Sequence, residues 1–460
     1  MPSFGTPIAP GDVDLRALGD TLCALGGVAR VSDLGANGPL RASAGAESLF
    51  NCLFGRDALR MALDLQDDFP AVARATLLEL ARLQGAADNP RSEEEPGRIL
   101  HEHREAGDPH VARLAQHWEF PYYGAVDSTP HWIILLGAYC ARAGAALLDE
   151  VLTDRLGRRR TVRDCLVDAV AWIRRRLDDP AGGGFLWVRR ATPHGIANQV
   201  WEDSADAYHY EDGALLDFSR PYAPVAVQGY AYDALLVAAR LLGPTPSPEA
   251  GTPAELRRRA AALRARVLRR FWQPHLGTFA HALAVQADGS LRAARVVASS
   301  PGHLLASRIL DGADAAALRE RLIARLMADD LLAGAGIRTK STAAPRFRAG
   351  SYHNGSVWPM DSGVIADGLR RHGRVELADE LERRILRACA LVGGFPEFFR
   401  GDPDGAVRVN VETVDALVDG QWNRLEQPPQ THQGWTATRI WRIARRVGAI
   451  RWPAEDAWAA

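Results

Sequence analysis

Residues 355–390 read GSVWPMDSGVIADGLRRHGRVELADELERRILRACA, and the reading of this stretch decides the fold. Apolar residues recur at three- and four-residue spacing over 355–373 and again over 375–390, which predicts two neighbouring helices. The link that runs from Gly368 to Gly373 is short, as between helices that pack as a pair. The same period continues outward over 128–147, 161–177, 225–242, 252–271, 312–327 and 433–447. Leu59 and Leu63 precede Pro70, and Ala71, Ala75, Leu78 and Ala81 follow it, so the proline interrupts one further run. About a dozen paired helices are what an α/α toroid requires, in which an inner ring is covered by outer helices and loops build a pocket at one end.

One clear β signal stands among the helices. Thr278 to Val285 faces Leu291 to Val297 across Ala287-Asp288-Gly289, which predicts a hairpin. The polar stretch Asp88 to Asp108 reads as an insertion or active-site loop, and Pro244 to Pro253 as a surface linker. No boundary divides the chain. Residues 1–460 therefore read as one domain, with 1–50 as its N-terminal helix and lead-in.

Composition narrows the function. The 460 residues are 47% hydrophobic and 24% charged, as in an ordinary globular protein with a large core. Lys+Arg 55 against Asp+Glu 56 gives a formal charge of −1, so no global field favours nucleic acid or an anionic membrane. Lys340 is the single lysine and the other 54 basic residues are arginine, which reads as the nucleotide bias of a GC-rich genome. Cys23, Cys52, Cys140, Cys165 and Cys389 are scattered and odd in number, against a disulfide framework or zinc site. The N-terminal residues lack the regions of a signal peptide, and the apolar run Trp132 to Leu148 contains Arg142 and is too short to span a bilayer. A cytoplasmic location is the expectation.

The chemistry-bearing segments mix aromatics, carboxylates and amides where packing does not demand them. They include Leu53 to Asp57, Pro121 to Asp127, Asn198 to Asp206, Val227 to Tyr230, Ser351 to Pro359 and Phe395 to Phe399. Such sets suit a sugar, whose apolar faces stack on aromatic rings and whose hydroxyls need charged or amide partners. Glycoside hydrolysis then needs two carboxyl groups flanking the anomeric carbon. Trp201-Glu202-Asp203-Ser204-Ala205-Asp206 offers one, although its spacing alone favours a helix N-terminus with Asp203 or Ser204 as cap. Glu397 offers the other, set among Phe395, Phe398 and Phe399, with a plain surface-loop carboxylate as the alternative. His101-Glu102-His103 with His110 is not an HExxH helix, and Ser204 lacks a GxSxG context. No metal or cofactor is expected.

In order along the chain, FGRDAL, PYYGAVDSTP, NQVWEDSADA, VQGYAYDAL, SSPGHLL, GIRT, SYHNGSVWP and FPEFF resemble bacterial amylo-α-1,6-glucosidases, the glucosidase part of glycogen-debranching enzymes. The resemblance runs from about Phe54 to Trp435. It implies an all-α (α/α)6 barrel with a small β-hairpin and long active-site loops. It further implies Asp203 as general acid, Glu397 as general base and inverting hydrolysis, with the carboxyls roughly 6.5–9.5 Å apart. Arg56 and Asp57 match the pair that grips hydroxyls of the terminal sugar. Tyr123, Asp127, Trp201, Gln228, Tyr352, His353, Asn354, Trp358 and Trp435 fall on segments that line the pocket.

Departures from the family pattern bear on specificity. Its W-K-D becomes Trp201-Glu202-Asp203, which makes Glu202 a rival acid and adds a charge beside Asp203. Arg400, Gly401 and Asp402 follow where a Cys and a Gly-Phe are usual, and the usual P-Q-A-W reads His432-Gln433-Gly434-Trp435. These changes are expected at the pocket rim, so that linkage and aglycone stay open, with a small glucoside or short oligosaccharide set beside glycogen as the substrate. Two other classes stay open: an epimerase using His131, His209, His303, His353 or His432, and a carbohydrate-binding barrel without activity.

Overall fold

The computed structural model describes residues 14–45, 48–179, 182–243, 247–409, 414–418, 421–425 and 429–450. Part of the expected lead-in and Pro244 of the expected linker lie outside the described residues. Eleven described helices exceed ten residues: α1 (Leu15–Gly26), α2 (Gly55–Leu65), α3 (Pro70–Arg82), α4 (Ser128–Ala143), α5 (Val162–Asp178), α6 (Val225–Leu241), α7 (Pro253–Arg270), α8 (Ala316–Leu326), α9 (Pro359–Arg371), α10 (Val375–Val392) and α11 (Gly434–Arg446). The expected helical runs agree with these to within a few residues.

Two kinds of helix alternate, and their composition says which is which. In α7 the buried residues are Leu256, Ala260, Leu263 and Val267, one stripe backed by arginines, as an outer helix requires. In α11, by contrast, Gly434 through Ile440 are all buried, so its first two turns are enclosed on every side. Neighbour contacts close a ring of six inner segments: α2 on α4, α4 on α6, α6 on the single turn His303–Ala306, that turn on α9, α9 on α11, and α11 back on α2. Helices α3, α5, α7 and α10 each pack outside the ring, and α1 covers α11. This is the (α/α)6 barrel. Arg439 of α11 bridges Asp64 of α2 at 2.9 Å and Asp367 of α9 at 2.8 Å, an ion network across the seam where the ring closes.

Local signals explain the helix starts. Thr252 with Glu255, and Thr161 with Asp164, form capping boxes, while Pro70, Pro253 and Pro359 occupy the first helical turn. Pro359 also explains why α9 begins later than the expected 355, since Trp358 before it is extended. The hairpin is present, with β4 (Ala282–Val285) on β5 (Leu291–Ala294), and β3 (Tyr222–Pro224) adds a third strand. Ahead of these, β1 (Leu53–Phe54) pairs with β2 (Glu102–His103) and seats the start of α2 on the long polar loop. Gly55 is needed there, because a Cβ would collide with the Leu100 carbonyl.

The Asp88 to Asp108 stretch is a packed support. Arg98 is fully buried and donates to the Glu93 carbonyl and to Gln199 Oε1, each at 2.7 Å. It thereby carries the segment that leads into Trp201.

Candidate active site

The expected site motifs sit where inner segments begin. Arg56 and Asp57 lie in the first turn of α2, Asp127 caps α4, Gln228 is in the first turn of α6, Trp358 caps α9 and Trp435 opens α11. Because each inner helix is followed by an outer one that returns the chain, these starts gather at one end of the ring. The Trp201 to Asp206 segment closes over that end. It is a series of bends and turns, so the helix N-terminus that its spacing favours is absent. Tertiary bonds hold it instead: Asn198 Nδ2 donates to the Ser204 carbonyl (2.6 Å), Asn354 Nδ2 to the Asp206 carbonyl (3.0 Å), and Ser204 N–H to His353 Nδ1 (3.3 Å).

Asp203 keeps 28% of its side chain exposed, and Arg56 Nη2 approaches its Oδ2 at 3.5 Å. Arg56 also grips the buried Asp127 carboxylate at 3.2 and 3.4 Å, so one guanidinium serves two carboxyls. Burial pushes Asp203 up to about 7; Arg56 opposes this, while Asp57 and Asp127 reinforce it. Asp57 is pushed to about 6 by burial, against the pull of Arg56.

Glu397 sits across the site and is 3% exposed. Its Oε1 accepts from the Tyr352 hydroxyl at 2.6 Å and its Oε2 from the Gln430 N–H at 3.3 Å. Burial pushes it up to about 8, the two donors pull it down, and the charges of Asp203 and Asp57 raise it again. Burial and the charges of Glu397, Asp203 and Asp57 raise Tyr352 together, so all three carboxyls lie within its electrostatic reach. The aromatic wall is continuous: the Tyr352 ring lies 5.0 Å from Trp358, which stacks on His353 at 4.9 Å and meets Trp201 at 6.0 Å and Trp435 at 5.6 Å. Arg56 Nε, His353 Nε2 and Trp435 Nε1 are buried without a hydrogen-bond partner among the described residues, so hydroxyl-bearing ligands would find donors here.

Glu202 has a different environment although it is the next residue. Both its oxygens are saturated: Oε1 takes Lys340 Nζ at 2.6 Å, and Oε2 takes His281 Nε2 and Ser300 Oγ at 2.7 Å and Tyr208 Oη at 3.2 Å. Burial would lift this carboxyl, but His281 and Lys340 more than offset it and hold Glu202 well below the usual range. Its residue is fully buried and both oxygens are engaged by the scaffold, whereas Asp203 keeps part of its side chain exposed.

Two further expected pocket residues are turned to the scaffold. Gln228 exchanges bonds of 2.9 Å with the backbone N–H and C=O of Leu186, and Tyr123 donates to the Leu83 carbonyl at 2.6 Å. The expected rim changes at 400–402 are also internal: Arg338 donates to the Gly401 and Asp402 carbonyls, and a Cβ at Gly401 would strike Gly355. Lys340, His281, Ser300 and Tyr208 went unassigned by motif reading. The one available signal was that Lys340 is the sole lysine. No group of three or more His, Cys, Asp or Glu among the described residues is arranged to hold a metal ion. Nor is any described helix long and apolar enough to cross a membrane.

Against this geometry, the model of the mannosylglycerate hydrolase MGH1-like glycoside hydrolase domain matches residues 125–436. The chain belongs to that family. Solved structures agree on the fold. The GH63 mannosylglycerate hydrolase from Thermus thermophilus, in complex with Tris and D-glycerate, aligns with a TM-score of 0.58 and 15% identity over 93% of this chain and 100% of that one. Its complex with glucose gives 0.55 and 16% over 89% and 98%. An uncharacterized conserved protein from the same organism gives 0.57 and 14% over 94% and 100%. No curated protein matches this MGH1-like glycoside hydrolase by sequence. The resemblance of its motifs to amylo-α-1,6-glucosidases meets these findings at the level of a glycoside hydrolase.

Proposed function

We propose that the protein is an inverting glycosidase that removes a terminal α-glucosyl unit from a small polar aglycone or short oligosaccharide. The observation that carries this is the pair of raised, mutually repelling carboxyls, Asp203 and Glu397, set about one aromatic-walled space with Arg56 and Asp57. Asp203 donates a proton to the departing glycosidic oxygen. Glu397 takes one from water on the opposite ring face, so that the anomeric configuration inverts. Arg56 and Asp57 hold hydroxyls of the terminal sugar.

Glu397, at about 8, stands just above Asp203, at about 7, with the hydrogen bonds to Glu397 already counted. Tyr352 and Gln430 aim two hydrogen bonds at Glu397 while Asp203 has one long approach from Arg56, so a carboxylate at Glu397 is the better hydrogen-bonded of the two. Ionisation of either carboxyl raises the other, so the pair retains a proton near neutrality, and donors aimed at a carboxylate decide where it rests.

The fold neighbours' complexes with glucose and with Tris and D-glycerate extend the panel for the test. Isomaltose, other α- and β-linked glucose disaccharides, and α-glucosides and α-mannosides of glycerate are incubated with the protein and followed by proton NMR from the first minutes. β-Glucose released first from an α-linked glucoside is the expected result. Retained configuration, or a changed reducing-end sugar without cleavage, would remove the inverting hydrolase reading.

A further inference from the structure

Lys340 stands apart in composition and in place. The chain has 55 basic residues and only this one is a lysine, yet its side chain is wholly enclosed. Its ammonium donates to Glu202 Oε1 at 2.6 Å and to the His353 carbonyl at 3.0 Å. Those partners belong to the two walls of the site. Glu202 precedes Asp203, whereas His353 follows Tyr352, whose hydroxyl bonds Glu397. The walls meet directly at Ser204, whose N–H and hydroxyl lie 3.3 and 3.0 Å from His353 Nδ1.

We infer that Lys340 is a positioning residue that clamps the Trp201–Asp206 loop to the Tyr352–Asn354 wall, so that one buried ammonium sets the separation of Asp203 and Glu397. A point charge with tetrahedral donors fits between a carboxylate and a carbonyl, where the planar fork of arginine is larger and differently aimed. Glu202 is the counter-ion that makes this buried cation tolerable. The clamp itself rests on the contacts; its effect on turnover rests on the hydrolase reading above.

The surroundings define the electrostatic readout. Glu202 faces Lys340 and His281 together with the Tyr208 and Ser300 hydroxyls, whereas Asp203 faces Arg56, Asp57, Asp127 and, across the site, Tyr352 and Glu397. Glu202→Gln leaves the ammonium without its counter-charge and pulls the alkaline limb of the activity profile down by about one pH unit. Lys340→Met leaves the carboxylate in excess and moves that limb up. A role in packing alone would not produce opposite shifts.

The test uses Lys340→Met, Lys340→Arg, Glu202→Gln and the double variant Lys340→Met/Glu202→Gln, which removes both charges and guards against misfolding of the single change. Hydrogen exchange is read on peptides covering 199–206 and 350–358, with kcat, KM and pH profiles on the panel member that the wild type cleaves. Faster exchange in both segments is expected in Lys340→Met and in the double variant. In Lys340→Met kcat falls about a hundredfold with KM within threefold. In Lys340→Arg it falls about tenfold with the alkaline limb unmoved, and the double variant restores the limb but not kcat. Unchanged exchange in both segments of a folded double variant, or limbs that fail to move oppositely in the single variants, would overturn the inference. If the wild type cleaves no panel member, the hydrolase reading is lost and exchange alone decides the clamp.

Discussion

Glu202 and Asp203 are neighbours in sequence and opposites in environment. Glu202 lies in a sealed cage where four side chains complete its hydrogen bonding and its carboxyl is driven well below the usual range. Asp203 keeps 28% of its side chain exposed and is pushed up to about 7, with a single long contact to Arg56. The contrast shows that burial by itself does not set ionisation; the opposite charges placed against the carboxyl do. A carboxyl with all its donors supplied holds structure together. One left short of donors can exchange its proton with a ligand.

That contrast can be broken most severely at the open side. Asp203→Asn and Glu397→Gln are each expected to lower kcat about a thousandfold with circular dichroism unchanged. Activity within threefold of wild type in either variant would remove that residue from its role. Tyr352→Phe takes one donor from Glu397, so Glu397 ionises at higher pH. The acidic limb of kcat/KM then moves upward and the rate at neutral pH falls about tenfold; an unmoved limb would count against Glu397 as base.

Stability sharpens the comparison further. Glu397 is raised in the fold to about 8 from an ordinary value near 4.5, so its protonated form is the one the fold favours. Its contribution is present in full below the unfolded value and is lost as pH rises through about 8. Glu397→Gln should therefore melt about 2–4 °C above the wild type at pH 9, and this advantage should vanish at pH 4. A constant difference across that range would place the effect in packing. The smallest catalytic effects are expected at Gln228→Leu and Tyr123→Phe, which leave kcat/KM within twofold while costing about 1–2 kcal/mol in denaturant unfolding. A tenfold loss of kcat/KM in either would return that residue to the pocket.

The helices were legible from their apolar period and their pairing, while the closed ring came with the motif resemblance; the structure then separates α7, with one apolar stripe, from α11, whose first two turns are enclosed. The fourth inner segment carried no such signal, since it is the single turn His303–Ala306. The site was legible as segments but not as individual roles. The motif resemblance places Glu202, Gln228 and Tyr123 beside the pocket, yet which way each side chain faces depends on partners remote in sequence, such as Lys340 and Leu186. The cap reading at Asp203 failed for the same reason: Asn198, His353 and Asn354 satisfy the loop's backbone groups in place of a helix.

The enclosure of Lys340 also has a practical use. It carries the one side-chain amine in the sequence, and that amine is 0% exposed. An amine-acylating reagent can reach it only when the two walls separate. The rate of its labelling in the native protein therefore times the opening of the site, in an assay that needs no substrate.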